Sequence, residues 1–223
     1  MSKIAVGFFS FTEVTDPAEH RSYNEWHALD HMPEQFPMAG MAHGTRWVST
    51  PACMAARVAA PPPFEAVHYI TMYLMTEPVE QTLREFYDRG VELGRLGRFH
   101  KHRKSHLTGG WRVESMAAAP RVLVSPEAVP YRPHAGVYII VEPEAAPVRT
   151  LVDISGVAGV WTFREPVVVD GLPWQPGPRR VTVCWCDEDP LSVAGAIGER
   201  ITGAVEYAGP LCTITDLRGD WFG

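Results

Sequence analysis

The segment richest in chemistry reads Ser22-Tyr-Asn-Glu-Trp-His-Ala-Leu-Asp-His-Met-Pro-Glu34. On a helix Tyr23, His27 and His31 step by four and Glu34 follows by three, so a phenol, two imidazoles and a carboxylate share one broad side. Imidazole gives or takes a proton near neutral pH, and a nearby carboxylate orients it and raises its basicity. Either His27 or His31 can then serve as general base or acid, with Glu34 or Asp30 orienting it, while Tyr23 and the other imidazole contact substrate or an oxyanion. Trp26, Leu29, Pro33 and Phe36 form the neighbouring apolar side. The competing reading is structural, with the polar side solvated and Trp26 and Leu29 in the core. His27 and His31 also have the i, i+4 spacing of a zinc pair. However, Ala28 stands where H-E-x-x-H carries its glutamate and no third ligand is evident, so no metal is expected.

The other candidates cluster nearby. His20, His27, His31, His43, His68, His100, His102 and His106 all precede residue 107, and only His134 follows. A site therefore belongs mainly to the first half. Strand parity puts His43, Thr45 and Trp47 on one face of a strand at 41–49. In a strand at 66–76, His68, Ile70, Met72 and Leu74 share one face, and Tyr69, Thr71, Tyr73 and Met75 share the other. His43, Trp47, His68, Arg46 and Tyr73 are the candidate substrate contacts, with Arg46 suited to a carboxylate. Against this, a strand histidine is often a hydrogen-bonded interior or edge residue, and Arg46 is equally suited to solvent. The run Phe99-His-Lys-His-Arg-Lys-Ser-His106 reads as a solvated helix end whose cations suit the helix dipole, with an anion site as the rival reading. The expected cavity lies between the 16–36 helix and the strands bearing His43 and His68.

The elements that must position these residues follow from composition and pattern. The 223 residues are 46% hydrophobic, enough for one large domain or two small ones. A net charge of −6 argues against gripping nucleic acid. No stretch approaches a bilayer span, and MSKIAVGFFSF reads as a first strand and not as a signal peptide. Four cysteines do not make a disulfide scaffold, and Cys184 and Cys186 read as small core side chains. A reduced, soluble, cytoplasmic protein without membrane partners is expected.

Two blocks repeat: Gly40–Trp47 with Gly156–Phe163, and Tyr69–Pro78 with Val181–Pro190. The first half reads as strand 3–11, helix 16–32, strands 41–49 and 66–76, helix 78–99 and strand 105–114. The second reads as strand 136–142, a short helical piece at 146–153, strands 157–169 and 179–187, helix 191–207 and strand 210–217. Thr50–Phe64 and Asp170–Pro178 are loops. The predicted fold is α+β, with two ferredoxin-like β-α-β-β-α-β repeats packed sheet to sheet so that a barrel-like body with helices outside closes within one chain. The predicted division is 1–116 for the His-rich repeat, 117–133 for a connector with an edge strand at Arg121–Ser125, and 134–223 for a degenerate repeat.

The run Tyr23-Asn-Glu-Trp-His-Ala-Leu-Asp-His-Met-Pro-Glu34, followed by Pro37-Met-Ala-Gly40 and a strand, resembles the first helix of the dimeric α/β barrel superfamily near its EthD-like branch. The pattern there is W-[YH]-x-x-x-H-x-P, then P-G, then a strand. Element order extends the likeness over residues 3–115. The second half carries no motif, and the turn departs slightly from Pro-Gly. The resemblance implies a chain of two fused units in a dimeric α/β barrel and a pocket between sheet and first helix. It also makes His31 the residue most expected to face that pocket. One fold hosts many activities, so it names no reaction.

The expected function is that of a cofactor-independent small-molecule enzyme, with no nucleotide-binding glycine motif in sight. Its reaction would be an isomerase, cyclase, lyase or monooxygenase type on an apolar, aromatic or polyketide-like substrate. The rivals are a non-catalytic ligand-binding or stress-response protein and a haem-dependent enzyme with a histidine axial ligand. A monomer or a homodimer of such chains is expected.

Overall fold

The computed structural model describes residues 3–222. Eight strands form its body: β1 (Ile4–Val14), β2 (Met41–Val48), β3 (Tyr69–Thr76), β4 (Arg103–Ala118), β5 (Gly136–Pro143), β6 (Val157–Val167), β7 (Arg179–Cys186) and β8 (Tyr207–Thr213). They pair antiparallel in the order β1-β3-β2-β8-β5-β7-β6-β4, and β4 returns to β1 to close a barrel. Alternation along each strand sends one set of side chains inward. Phe9, Phe11, Trp47, Ile70, Met72 and Leu74 from the first half meet Ile139, Trp161, Phe163, Val183 and Trp185 from the second. An eight-stranded barrel is just wide enough for side chains to fill, so its inside is a core and not a cavity. The indoles of Trp47, Trp111 and Trp161 donate to His134 Nε2, the Gly177 carbonyl and the Pro126 carbonyl at 2.9, 3.1 and 2.9 Å.

This corrects the expectation of two ferredoxin-like β-α-β-β-α-β repeats packed sheet to sheet. The chain is one closed antiparallel barrel with few helices. Two features overturn the expectation. First, the halves are joined by hydrogen-bonded seams, β4 with β6 from Gly110 to Ala118 and β2 with β8 at Trp47 and Val48. An unpaired strand edge leaves backbone groups unsatisfied, and closure removes that edge. β4 makes this reach because it runs to Ala118, four residues beyond the predicted end. Second, 146–153 forms no helix; Pro147 lies inside it and the preceding strand ends at Pro143.

The helices are α1 (His20–Trp26), α2 (Pro51–Ala55), α3 (Val79–Arg95) and α4 (Pro190–Glu199). α2 lies where the sequence suggests only loop, and Thr50 caps it by accepting the Cys53 N–H at 3.3 Å. The expected edge strand at Arg121–Ser125 does not form, and a 3-10 turn at Pro126–Tyr131 follows instead. Against the outer face of the first half, Val79, Leu83 and Phe86 of α3 pack with Phe8, Tyr73 and Met75. No helix among the described residues is long and apolar enough to cross a membrane.

Candidate functional site

The expected 16–32 helix forms as a sequence of turns. A 3-10 turn at Pro17–Glu19 leads into α1, a π turn spans His27–His31, and a 3-10 turn covers Pro33–Gln35. The Met32 N–H bonds the His27 carbonyl at 2.9 Å, the wider loop that marks a π turn. Such turns recur at functional sites. The segment presents its polar side to the sheet. Tyr23 and His27 are 1% and 4% exposed, whereas Leu29 and Phe36 are 71% and 45% exposed. The outer face of the sheet explains this orientation. It offers the hydroxyls of Ser10, Thr12, Thr71 and Thr108 beside the segment, and polar side chains meet polar partners there.

Between this segment, α3 and the outer face of β1, β3 and β4 lies a cavity of about 320 Å³. That volume suits a small molecule. Aromatic rings form much of the wall: Trp26, Phe86, Tyr87, Phe99, and Trp174 from the loop between β6 and β7. His27, His31, Tyr23, Tyr73, Gln35 and Arg103 supply its polar groups. The two imidazole centroids are 5.3 Å apart, and His31 stacks on Trp26 at 4.6 Å with 21° between planes.

Both histidines are held neutral. Burial lowers the His31 pKa to about 4, Arg103 and Arg46 push the same way, and Asp30 opposes them. His27 is driven well below the usual range, first by burial and then by Arg46, His31 and Arg103. His27 Nε2 lies 3.3 Å from Thr71 Oγ1. Gln35 Nε2 donates to the His31 carbonyl at 2.9 Å. The Nδ1 atoms of His27 and His31, Gln35 Oε1 and the Tyr73 hydroxyl have no partner among the described residues. Burial also raises the Tyr73 phenol above its ordinary value. Buried polar atoms are normally satisfied, so four such atoms around one cavity mark a place for a polar ligand.

The structure gathers part of the sequence-predicted set. Tyr23, His27, His31 and Tyr73 line the cavity. Arg46 stands behind them, its guanidinium 5.4 Å from both the Tyr23 and Tyr69 rings. Asp30 and Glu34 are turned elsewhere, paired with Arg98 at 2.6 and 2.7 Å. His43 packs near the Tyr131 ring at 5.0 Å, and Trp47 points into the barrel. His68 accepts the Val14 N–H at 3.1 Å and lies beside His20. Arg103, Gln35, Phe99 and Trp174 were not singled out by sequence. The one signal for Trp174 is a large aromatic residue set between prolines in a loop.

Among the described residues, the grouping that brings three metal-ligating atoms within 4.8 Å of one another is Asp16, Glu19 and His102, half-buried and separate from His27 and His31. A haem needs an imidazole that turns a free nitrogen to an open slot. His27 is enclosed with Nε2 at Thr71, and His31 carries Trp26 on one face with Phe99 at 5.4 Å. His31 keeps at the cavity a ring nitrogen, Nδ1, unpartnered among the described residues, of the kind a haem iron would need.

No family model matches the sequence, and no curated protein matches it. Among solved structures, a variant of chlorite dismutase from Candidatus Nitrospira defluvii is similar, with a TM-score of 0.50 and 10% identity. That match covers 100% of this chain and 97% of the other. An anthrone oxidase-like protein matches with a TM-score of 0.46 and 10% identity over 96% of this chain and 92% of that one. At such identity the likeness reaches the fold alone.

Proposed function

We propose that the protein is a small-molecule enzyme in which His31 acts as general base or acid, without a cofactor, on a planar aromatic or polyketide-like substrate. The observation that carries this reading is the aromatic-walled cavity with two neutral imidazoles on one side. A flat apolar ligand matches the rings of Trp26, Phe99 and Trp174, and a neutral imidazole is the form that accepts a proton. Proton abstraction and return at such a site is isomerase, cyclase or lyase chemistry. With a substrate whose anion reacts with oxygen, it is monooxygenase chemistry. Tyr23 and His27 contact the substrate, Tyr73 lines its slot, and Arg46 acts through Tyr23. The Tyr23–Glu34 motif supports kinship with the EthD-like branch. The protein works in the cytoplasm as a monomer or homodimer, on a small ligand and not on nucleic acid or membrane.

The test is turnover once a substrate is found by screening aromatic and polyketide-like compounds. His31→Gln lowers kcat by at least about a hundredfold. Unchanged turnover in that variant reduces His31 to scaffold, and binding without turnover of any bound compound favours the ligand-binding alternative. A Soret band on haem titration, lost in His31→Ala, overturns the cofactor-independent part.

A further inference from the structure

One guanidinium group lines the cavity and a second stands behind its wall, and neither has a carboxylate partner among the described residues. Arg103 lines it, with Nη2 3.1 Å from Ser105 Oγ and its guanidinium carbon 5.9 and 5.3 Å from the Trp26 and Phe99 rings. Arg46 is 8% exposed, held against Tyr23 and Tyr69, and its Nη1 has no partner among the described residues. The chain holds 26 acidic residues against 20 basic ones, so carboxylates are not scarce. Elsewhere the fold supplies them: Arg149 pairs with Glu142, and Arg180 with Glu114 at 3.0 Å. A buried charge left unpaired is costly, and an incoming charge of opposite sign offsets that cost.

We propose that the cavity binds an aromatic oxyanion, with Arg103 as its direct contact and Arg46 as a second positive charge behind the Tyr23 wall. This rests on the cavity's being the small-molecule site proposed above. The anion does more than anchor. Arg103 and Arg46 oppose protonation of His31, Asp30 on its own turn favours it, and His27 packs against its ring. A bound oxyanion offsets the two cations, so His31 becomes a stronger base once substrate is in place.

Three probes test this by titration calorimetry at neutral pH: 1-hydroxy-2-naphthoate, its neutral methyl ester, and 2,4-dinitro-1-naphtholate, an anion without a carboxylate. One or both anions bind about tenfold tighter than the ester, a preference that Arg103→Gln removes. Whichever anion leads tells carboxylate from phenolate. Equal binding of all three overturns the oxyanion inference and leaves the cavity reading standing, whereas no binding of any of them counts against both. A second readout needs no ligand. In Arg103→Gln the His31 pKa, followed by NMR of its ring, rises above the wild-type value. An unmoved value overturns the role given to Arg103.

A separate observation concerns the β2–β8 seam. Cys53 of α2 and Cys212 of β8 place their sulfurs 3.6 Å apart, 159 positions apart in sequence. Cys53 is buried and Cys212 half-buried. The seam they flank is thin, with Trp47 opposite Thr213 and Val48 opposite Cys212. The geometry points to a reversible dithiol–disulfide couple that staples this seam when a hydroperoxide is present. One sulfur, as thiolate, attacks the O–O bond and becomes a sulfenic acid as hydroxide leaves. The other sulfur displaces the hydroxyl. With hydrogen peroxide, two thiols lose two electrons and two protons, and two waters form. The hydrogen bond from Cys212 favours the Cys53 thiolate, against the effect of burial.

Reduced full-length protein treated with hydrogen peroxide tests the couple. Denatured thiol counts fall from four to two, a non-reducing peptide map links Cys53 to Cys212, and Tm rises by about 5–15 °C until dithiothreitol restores it. Four surviving thiols, a link through Cys184 or Cys186, or a link between molecules overturns it.

Discussion

The outer face of the barrel is covered twice, and the two covers differ in kind. Over the second half, the 146–156 loop and α4 press apolar side chains onto the sheet. Leu151, Ile154, Val193 and Ile197 close over Tyr138, Ile140 and Cys184. The cavity left there is about 10 Å³, and the buried Glu142 beside it is paired with Arg149. Over the first half, a segment with a π turn faces the sheet with Tyr23, His27 and His31 and leaves about 320 Å³. Arg103 at that cavity and Arg46 behind it have no carboxylate partner among the described residues. Similar strand alternation supports both faces, so the strands do not make the difference. What makes it is which residues project outward and what lies on them. One cover is built for stability, and the other gives up packing and charge pairing to keep a polar cavity, a common trade at functional sites.

The contrast breaks most visibly at its buried charges. Glu142→Gln leaves the half-buried Arg149 with the Arg200 and Thr202 carbonyls but no carboxylate, and costs about 3–5 kcal/mol, read by urea denaturation. Arg46→Met removes a charge that has no carboxylate, so the ligand-free protein loses nothing or gains stability. If Arg46→Met costs as much as Glu142→Gln, the two faces do not differ in how they handle charge.

Packing gives the next largest effect. Ile197 is fully buried in the second cover, and Ile197→Ala costs about 2–5 kcal/mol. Val91 lies at the cavity of the first cover, 53% exposed, and Val91→Ala costs about 0.5 kcal/mol or less. Matching losses would mean that the first cover is packed as tightly as the second.

The strands and their order along the chain were legible, because a period of two with Phe, Tyr, Val and Ile leaves little choice. The split of Tyr69, Thr71 and Tyr73 from Ile70, Met72 and Leu74 was also readable, and these residues do take opposite faces of β3. That the two halves close a barrel within one chain was legible, but the seams that close it were not. They depend on β4 running to Ala118 and on pairings between residues far apart in sequence, which no local pattern reports. The orientation of the first helical segment was half legible. Tyr23, His27 and His31 do share a side, but Leu29 and Phe36 suggested the opposite facing, and the π turn changes the spacing on which such patterns depend. Arg103 lay within a run that looks like a solvated helix end. It is drawn to the cavity because β4 begins at that residue.

Acid sharpens the comparison through the histidines, which only the first cover places at a cavity. The unfolded chain protonates an ordinary histidine at about 6.5. The fold holds His31 and His20 down to about 4, and His27 lower than usual, chiefly by burial. Unfolding therefore takes up protons below pH 6.5. The stability these groups contribute is complete above that pH and is lost as pH falls toward 4. In His27→Gln the slope of stability against pH across this window flattens by up to about 1.4 kcal/mol per unit. An unchanged slope in urea titrations at pH 6.5, 5.5 and 4.5 would show that His27 is not kept neutral by burial.

The smallest effect separates stability from binding. Gly90 of α3 and Gly195 of α4 both sit inside helices, and neither has a positive φ. A Cβ on Gly90 meets only Phe99, at 3.9 Å, and one on Gly195 meets nothing within 4 Å. Alanine reduces the freedom of the unfolded chain, so each substitution stabilises by about 0.5–1 kcal/mol and raises Tm by about 1–4 °C. The thermal gain is the same on both faces. Gly90 lines the cavity, so its new methyl group takes space from a bound aromatic ligand, whereas Gly195 lies on the other cover. Affinity for 1-hydroxy-2-naphthoate therefore changes in Gly90→Ala and stays at the wild-type value in Gly195→Ala. A shift in Gly195→Ala, or none in Gly90→Ala, would place the ligand away from the π turn and dissolve the division between the two faces.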